Sequence, residues 1–594
     1  MKLTKPLLAS LGAGLLIQSA AMAQTVYPIH RASILSGQMF DFKVEFSGVV
    51  DPAKLSVQIN GVDHAEFFGQ GATLTLREDG VDASAVRLNN VRIMQPGKYV
   101  VTATDGQGTA SVTWEVYGTP SVRQAKNVIL FVADGLSPAH RTAARVMSKG
   151  ITEGKYHGEL AMDSMPHMAM VGTSGVDSII TDSANSAHAY TTGHKSGVNA
   201  LGVYADRTPD TFDDPKVETI AELVKRRLNM AVGVVSDAEI QDATPASVVA
   251  HTRRRAEKAA ITEMFFNTQP EVILGGGSAY FLPQSTPGSK RKDEQNFFRK
   301  FQQEANYAIV TERDSLMAKV EDPATRKVLG MFSTGNMDGV LDREFYNNDV
   351  KFPNQPDLTE MTEAAIKVLD RHEDGFFLMV EAAMVDKYSH PLDWERAVMD
   401  TIMFDKAVAV AKQYAAMNGD TLVLVTGDHT HGLSIIGTVD DSKPGDLRDQ
   451  IGVYADAGYP NYVDGDGDGY PDDLNVSKRL AVLFSNFPDH YETLRPKQDG
   501  TFSPAVRKDK VYVANEKYKN EPGAIYREGI LPRSSGSGVH TADDMILSAM
   551  GPGAEQVRGF MDNTEIFRVM AEALSLGVSG MARQAEVKPV YASN

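Results

Sequence analysis

The chain has 594 residues, 42% of them hydrophobic, no cysteine and a formal net charge of −18. That length supports a large packed core and more than one domain, and the acidic balance argues against general nucleic-acid binding. Without cysteines, an exported chain must draw its stability from core size, bound metals or association.

Residues 1–23 read as a secretory signal. Lys2 and Lys5 form a basic start, Leu7 to Ile17 a short apolar stretch, and Ala21-Met22-Ala23 a small-residue cleavage site. The mature chain is therefore expected to begin at Gln24 and to be periplasmic or extracellular. No later run is long and apolar enough to span a membrane.

Residues 24–118 are expected to form an all-β, immunoglobulin-like domain. Phe40, Phe42, Val44 and Phe46 alternate with polar residues, as do Leu55, Val57 and Ile59, then Tyr99, Val101 and Ala103, then Val112, Trp114 and Val116. Short alternating runs separated by Gly, Asp and Asn are the pattern of a small antiparallel sandwich. Trp114 is expected in its core. The domain shows no chemistry and reads as a packing or binding module.

From Asn127 the pattern changes. Val128-Ile129-Leu130-Phe131-Val132 is a continuous apolar run that ends in Ala133-Asp134-Gly135. Phe376-Phe377-Leu378-Met379-Val380 ends in Glu381, and Thr421-Leu422-Val423-Leu424-Val425-Thr426 ends in Gly427-Asp428-His429. Such runs are strands buried on both faces. Helical segments lie between them, among them Thr359 to Leu369 and Trp394 to Met417. The alternation predicts a three-layer α/β/α sandwich with a central, mostly parallel sheet over residues 119–594. Ligands bind beyond the carboxyl ends of strands in such sheets, so Asp134, Glu381, Asp428 and His429 are expected along one edge. Carboxylates crowded there repel one another unless cations hold them.

Thr181-Asp182-Ser183-Ala184-Asn185-Ser186-Ala187 opens a small-residue helical run. Free N–H groups and the positive helix end beside Ser183 would receive a phosphate and developing negative charge. An ordinary Asp/Ser N-cap has the same residues; the metal-ligand sets elsewhere favour the chemical reading. Asp386 and His390 lie at i, i+4 and share a face if that stretch is helical. His431 follows His429 by two residues, and His540 follows the loop Ser534-Ser535-Gly536-Ser537-Gly538. Mixed Asp/His sets suit zinc and all-oxygen sets suit magnesium. His188 and His194, near Ser183, read as packing or supporting residues.

A long segment at about 440–535 contains Asp464-Gly465-Asp466-Gly467-Asp468-Gly469-Tyr470-Pro471-Asp472. Aspartates at loop positions 1, 3, 5 and 9 with glycine at 6 fit a calcium loop, with Tyr470 supplying its carbonyl. Position 12 is Asn475, so this is not a full EF-hand. The loop resembles those of extracellular calcium-binding repeats; calcium would stiffen the insert in place of a disulfide.

From Asn127 to the end, less that insert, the chain resembles the alkaline phosphatases. The resemblance rests on Val132-Ala133-Asp134-Gly135, Thr181-Asp182-Ser183-Ala184, Gln241-Asp242-Ala243-Thr244-Pro245-Ala246, Val272-Ile273-Leu274-Gly275-Gly276-Gly277, Val380-Glu381 with Asp386-Lys387 and His390, Thr426-Gly427-Asp428-His429, and Gly538-Val539-His540-Thr541, in the family's order. It implies that Ser183 is the nucleophile and that Asp386, His390 and His540 bind one zinc. It implies Asp428, His429 and Asp134 for a second zinc, and Asp134, Thr244 and Glu381 for a magnesium. Arg255 matches the arginine that clamps the phosphate, with Arg253 and Arg254 as alternatives in the run. Lys387 and Asp242 match positions that orient water, phosphate or magnesium, and His431 one that supports a zinc-binding aspartate. The implied substrates are small phosphomonoesters. Thr244, Glu381 and Arg255 favour monoesters over the alternative, a phosphodiesterase or other ester hydrolase on the same scaffold. A non-catalytic calcium-dependent adhesion protein is a third class, against which the intact Ser183 and ligand set argue. Family members are often homodimers, so the resemblance implies a homodimer unless the added β-domain replaces or blocks that contact.

Overall fold

The computed structural model describes residues 24–346, 350 and 352–578. The expected signal segment, residues 1–23, lies outside the described residues. Two compact units are present. The smaller comprises the described part of Met1–Arg31 with Phe42–Leu88 and Tyr99–Trp114. Its strands are short: Phe40–Phe46 pairs antiparallel with Gln24–Tyr27, and Ser56–Ile59 pairs antiparallel with Gly97–Thr104. Thr109–Tyr117 alternates in burial as expected, whereas Phe40–Phe46 is buried at every position, Asp41, Lys43 and Glu45 included. Trp114 is buried, donates from Nε1 to the Pro28 carbonyl at 2.8 Å and meets Phe42 edge-on. Residues 32–41 and 89–98 belong instead to the larger unit. The reason is visible at Gln38, whose Nε2 donates to the Thr192 carbonyl at 2.7 Å and the Glu218 carbonyl at 3.1 Å.

The larger unit is built on a ten-stranded sheet. Its spatial order is Ala308–Val310, Val328–Met331, Val272–Gly276, Ala231–Glu239, Phe376–Ala382, Asn127–Ala133, Thr421–Gly427, Met545–Met550, His167–Gly172, Arg558–Asp562. Neighbours are parallel except where Met545–Met550 pairs antiparallel with both of its own. The continuous apolar runs follow from burial on both faces. Ile129, Phe131 and Ala133 enter one core with Leu378 and Val425; Val128, Leu130 and Val132 enter the other with Phe377 and Leu424. Helices Pro138–Lys149, Leu358–Leu369 and Trp394–Asn418 cover the first face. Helices Ser183–Thr192, Ile220–Leu228 and Thr564–Ala573 cover the second.

Register sets the functional edge. Ala133 lies opposite both Ala382 and Gly427, so Asp134 and Asp428 leave neighbouring strands at the same level. Glu381 lies opposite Val132 on one side and Ser236 on the other. The insert is β-rich: Leu433–Asp440 pairs with Lys478–Phe484 and Ile451–Gly452, and Ala505–Lys508 pairs with Val511–Ala514. The buried Arg396 guanidinium anchors it, donating to the Lys497 carbonyl at 2.8 Å and pairing with Asp393 and Asp342.

Candidate metal and phosphate site

Ser183 is the first residue of helix Ser183–Thr192, and the Asp182 side chain caps it by accepting from Asn185 N–H at 3.1 Å. The helix is buried along its whole length because nearly every side chain in it is small. Ser183 Oγ lies 3.4 Å from both carboxylate oxygens of Asp134 and 3.3 Å from His429 Nε2. His429 Nε2 in turn is 3.1 Å from Asp134 Oδ1 and 3.4 Å from Asp428 Oδ2. The nucleophile expected from sequence thus faces a carboxylate and an imidazole delivered by two adjacent strand ends.

A second cluster adjoins it. The stretch after Glu381 is helical, Met384–Ser389, and places Asp386 and His390 on one face, with His390 Nε2 3.3 Å from Asp386 Oδ1. His540 Nε2 lies 3.5 Å from the same oxygen and 3.3 Å from His390 Nε2. His431 Nε2 is closer still to Asp386 Oδ1, at 2.6 Å. Ligand atoms of Asp386, His429, His431 and His540 form one group within 4.8 Å, and those of Asp134, Asp428 and His429 form another.

The donor chemistry fits cations. His390 Nδ1 is 2.8 Å from the Gly538 carbonyl and His540 Nδ1 is 2.9 Å from the Thr181 carbonyl. A carbonyl only accepts, so each Nδ1 carries a proton, and each Nε2 faces Asp386. An imidazole held in this way through Nδ1 leaves Nε2 available as a metal ligand beside the Asp386 carboxylate. Asp428 Oδ2 and Thr244 Oγ1 are buried without a hydrogen-bond partner. Burial and the Asp134 charge push Asp428 and Glu381 well above the usual carboxylate range. Burial and Asp386 push Asp134 the same way, but Lys387 and His429 overcome them and hold it low. The protein's own cations therefore do not neutralise all three carboxylates, and divalent ions would. Glu381 also accepts from Ser236 Oγ.

Arg255 stands beside the start of helix Ser183–Thr192. Its Nη1 is 3.3 Å from Asp182 Oδ2 and its Nη2 2.8 Å from Asp242 Oδ1. Burial disfavours its charge, but Asp242 and Asp182 reverse this and raise its pKa. The two alternatives are placed elsewhere: Arg253 donates to the Asp206 and Thr208 carbonyls, and Arg254 is largely exposed beside Glu257. Lys387 Nζ sits among three carboxylates, 3.2 Å from Asp386, 3.4 Å from Asp242 and 3.7 Å from Asp134. Burial opposes ionisation of Asp242, yet Lys387, Arg255 and Lys258 hold it far below the usual range.

His188 lies within helix Ser183–Thr192 and His194 directly follows its Gly193 cap; both are buried, and His194 Nδ1 lies 2.6 Å from Tyr204 Oη. From sequence Asp182 reads only as a cap, and Ser236, which donates to Glu381, stands in no motif. The Asp-Ser pair at a helix start carried the first signal. Nothing local to Ser236 announced the second, because the contact exists only through strand register. In the insert, carboxylates of Asp464, Asp466 and Asp472 gather within 4.8 Å. Asp468 stands apart from that group: its carboxylate accepts from Tyr470 N–H at 2.8 Å and its carbonyl from Lys406 at 3.0 Å. Tyr470 is buried, with Lys406 over its ring at 4.3 Å.

The family model described as alkaline phosphatase matches residues 125–576. The Escherichia coli alkaline phosphatase is 34% identical over 364 residues, 55% of this chain and 74% of the relative. Alkaline phosphatase H of Pseudomonas aeruginosa is 33% identical over 355 residues, 53% of this chain and 71% of the relative. The crystal structure of Thermus thermophilus alkaline phosphatase superposes with a TM-score of 0.55 at 24% identity, covering 77% of this chain and 93% of that one, and so supports the fold. Among the described residues no helix is long and apolar enough to cross a membrane. With the sheet edge, the buried Asp/His clusters and the match over residues 125–576 in agreement, the chain belongs to the alkaline phosphatase family.

Proposed function

We propose that the chain is an exported phosphate monoester hydrolase in which Ser183 attacks phosphorus and carries the phosphoryl group transiently. The observation that carries this reading is the position of Ser183 Oγ, 3.4 Å from Asp134 and 3.3 Å from His429, at a helix N-terminus with Arg255 alongside. Asp386, His390 and His540 would hold one zinc, Asp428, His429 and Asp134 a second, and Asp134, Thr244 and Glu381 a magnesium. When bound, such ions lower the pKa of coordinated hydroxyl groups and neutralise charge on attacking and leaving oxygens.

The chain's own residues supply the rest. Ser183 Oγ forms the new bond to phosphorus as the ester oxygen leaves and takes up a proton. Water then attacks phosphorus, the Ser183 Oγ–phosphorus bond breaks, and inorganic phosphate is released. The planar guanidinium of Arg255 matches two non-bridging phosphate oxygens, and its pairing with Asp182 and Asp242 presets its orientation. N–H groups at the start of helix Ser183–Thr192 add to the anion site. Lys387 offsets the charge of Asp134, Asp242 and Asp386, and His431 fixes Asp386. In the insert, Asp464, Asp466 and Asp472 with the Tyr470 carbonyl would hold calcium.

The deciding experiment is hydrolysis of matched chromogenic mono- and diester phosphates by the mature protein, before and after chelation, with zinc, magnesium and calcium restored separately. Monoester turnover that disappears on chelation and returns with zinc plus magnesium is expected. Preference for the diester would move the protein to a diesterase and overturn the roles given to Thr244 and Arg255.

A further inference from the structure

His140 lies outside the ligand sets, yet it joins the segments that carry them. It is the third residue of helix Pro138–Lys149 and is fully buried. Its Nδ1 accepts from the Ser137 backbone N–H at 3.1 Å. A backbone amide can only donate, so Nδ1 carries no proton and the neutral ring bears its hydrogen on Nε2. That Nε2 is 3.1 Å from Ser389 Oγ, which donates onward to the Val385 carbonyl at 2.7 Å. Ser137 Oγ donates to the His431 carbonyl. Every group in the chain thus has a defined direction of donation.

Three segments meet through these bonds. Ser137 ends the turn that begins at Asp134. Ser389 closes the helix that bears Asp386 and stands next to His390. His431 belongs to the segment that starts with Asp428 and His429. In a usual capping box the third helical residue is Glu or Gln, which satisfies the N-cap amide and reaches no further. Histidine performs the same local task with one nitrogen and spans to a second element with the other. Burial, reinforced by the nearby His431, pushes its pKa down to about 3, so it adds no charge beside Asp386.

We propose that His140 is a positioning residue of the hydrolytic site, holding the Asp134 turn and the Asp386–His390 helix in register through Ser137 and Ser389. The proposal rests on the reading of Asp134, Asp386 and His390 as metal ligands. Groups that orient metal ligands typically change metal affinity by about 10- to 100-fold when removed.

The test is zinc release from the full-length mature holoprotein to a chromogenic chelator, with zinc content and monoester turnover measured on the same samples. His140→Ala is expected to release zinc at least ~10-fold faster than the native chain. His140→Gln keeps an acceptor for Ser137 and a donor for Ser389, and is expected to restore most of the retention. His140→Glu keeps the cap but, ionised, offers Ser389 no proton, and is expected to behave like alanine. Ser389→Ala removes one hydroxyl, is expected to speed release in the same direction, and keeps the test decisive if His140→Ala does not fold. Native-like retention in the His140→Ala and Ser389→Ala proteins would overturn the proposal, as would equal losses in His140→Ala and His140→Gln. A folded native chain that binds no zinc would overturn the metal reading and this proposal with it.

Discussion

His431 Nε2 donates to Asp386 Oδ1 at 2.6 Å, the shortest approach of any histidine to that carboxylate. Burial, against the pull of Asp386, pushes His431 down to about 4, so the neutral ring acts as donor and leaves the carboxylate charged. His431→Ala is expected to weaken zinc binding by about 10- to 100-fold, with His431→Gln intermediate because its amide can still donate. Chelator competition reads both; an alanine variant with native affinity would remove His431 from any role in orienting Asp386.

Ser183→Ala removes the hydroxyl oxygen that lies within 3.4 Å of Asp134 and 3.3 Å of His429 at the helix start. Turnover is expected to fall on the order of 10³-fold or more, while zinc content and melting temperature stay close to native. Trapping with radiolabelled phosphate at acid pH should label the native chain and not the variant. Label retained in Ser183→Ala would place the nucleophile elsewhere.

Arg255→Lys tests planarity separately from charge. A lysine keeps the positive charge beside Asp182 and Asp242 but cannot form the paired contact to two phosphate oxygens. Loss of kcat/KM by about 10-fold or more is expected, equivalent to ~1.4 kcal/mol, together with weaker inhibition by inorganic phosphate. Arg253→Lys should leave phosphate inhibition unchanged, since Arg253 is committed to the Asp206 and Thr208 carbonyls. The reverse order of effects would transfer the clamp to Arg253.

Glu395 gives a pH signature of folding rather than catalysis. Burial, aided by the Asp393 carboxylate and opposed by Lys497, pushes it up to about 8. Between an unfolded value of about 4.3 and that folded value, the native state holds the extra proton. Stability contributed by this group therefore falls as pH rises through that window and remains reduced above it. Glu395→Gln should remove this decline, so the variant should gain melting temperature over the native chain at pH 9 and show little gain at pH 5. Parallel melting curves at both pH values would show that Glu395 ionises freely.

Calcium should raise the melting temperature of chelator-treated protein through the insert, and Asp464→Asn combined with Asp472→Asn should abolish that shift without changing zinc content. The two residues are chosen because their carboxylates, with Asp466, converge in one group. An unchanged melting temperature on adding calcium to the native chain would leave the loop as a solvated acidic turn.

The sequence by itself determined the ends of the strands and what stands on them. Continuous apolar runs such as Val128–Val132 require burial on both faces, and that requirement places Asp134, Glu381 and Asp428 along one edge without any long-range knowledge. The i, i+4 spacing of Asp386 and His390 likewise needed only a helix, which Met384–Ser389 supplies. Tertiary structure decided everything that depends on two segments meeting. The run of three arginines after Thr252 has no local asymmetry; only the fold brings Asp182 and Asp242 within 3.3 Å and 2.8 Å of Arg255. Lys387 could have faced solvent, yet it sits among carboxylates from three separate stretches. Asp468 fits the loop pattern by spacing, but backbone turns direct its carboxylate to Tyr470 N–H. His140 reads from sequence as a helix-start residue, and only the fold brings Ser389 to its second nitrogen. Periodicity and capping are local energies written in neighbouring residues, whereas pairing between distant side chains is set by sheet register and helix packing, which no single stretch of sequence contains.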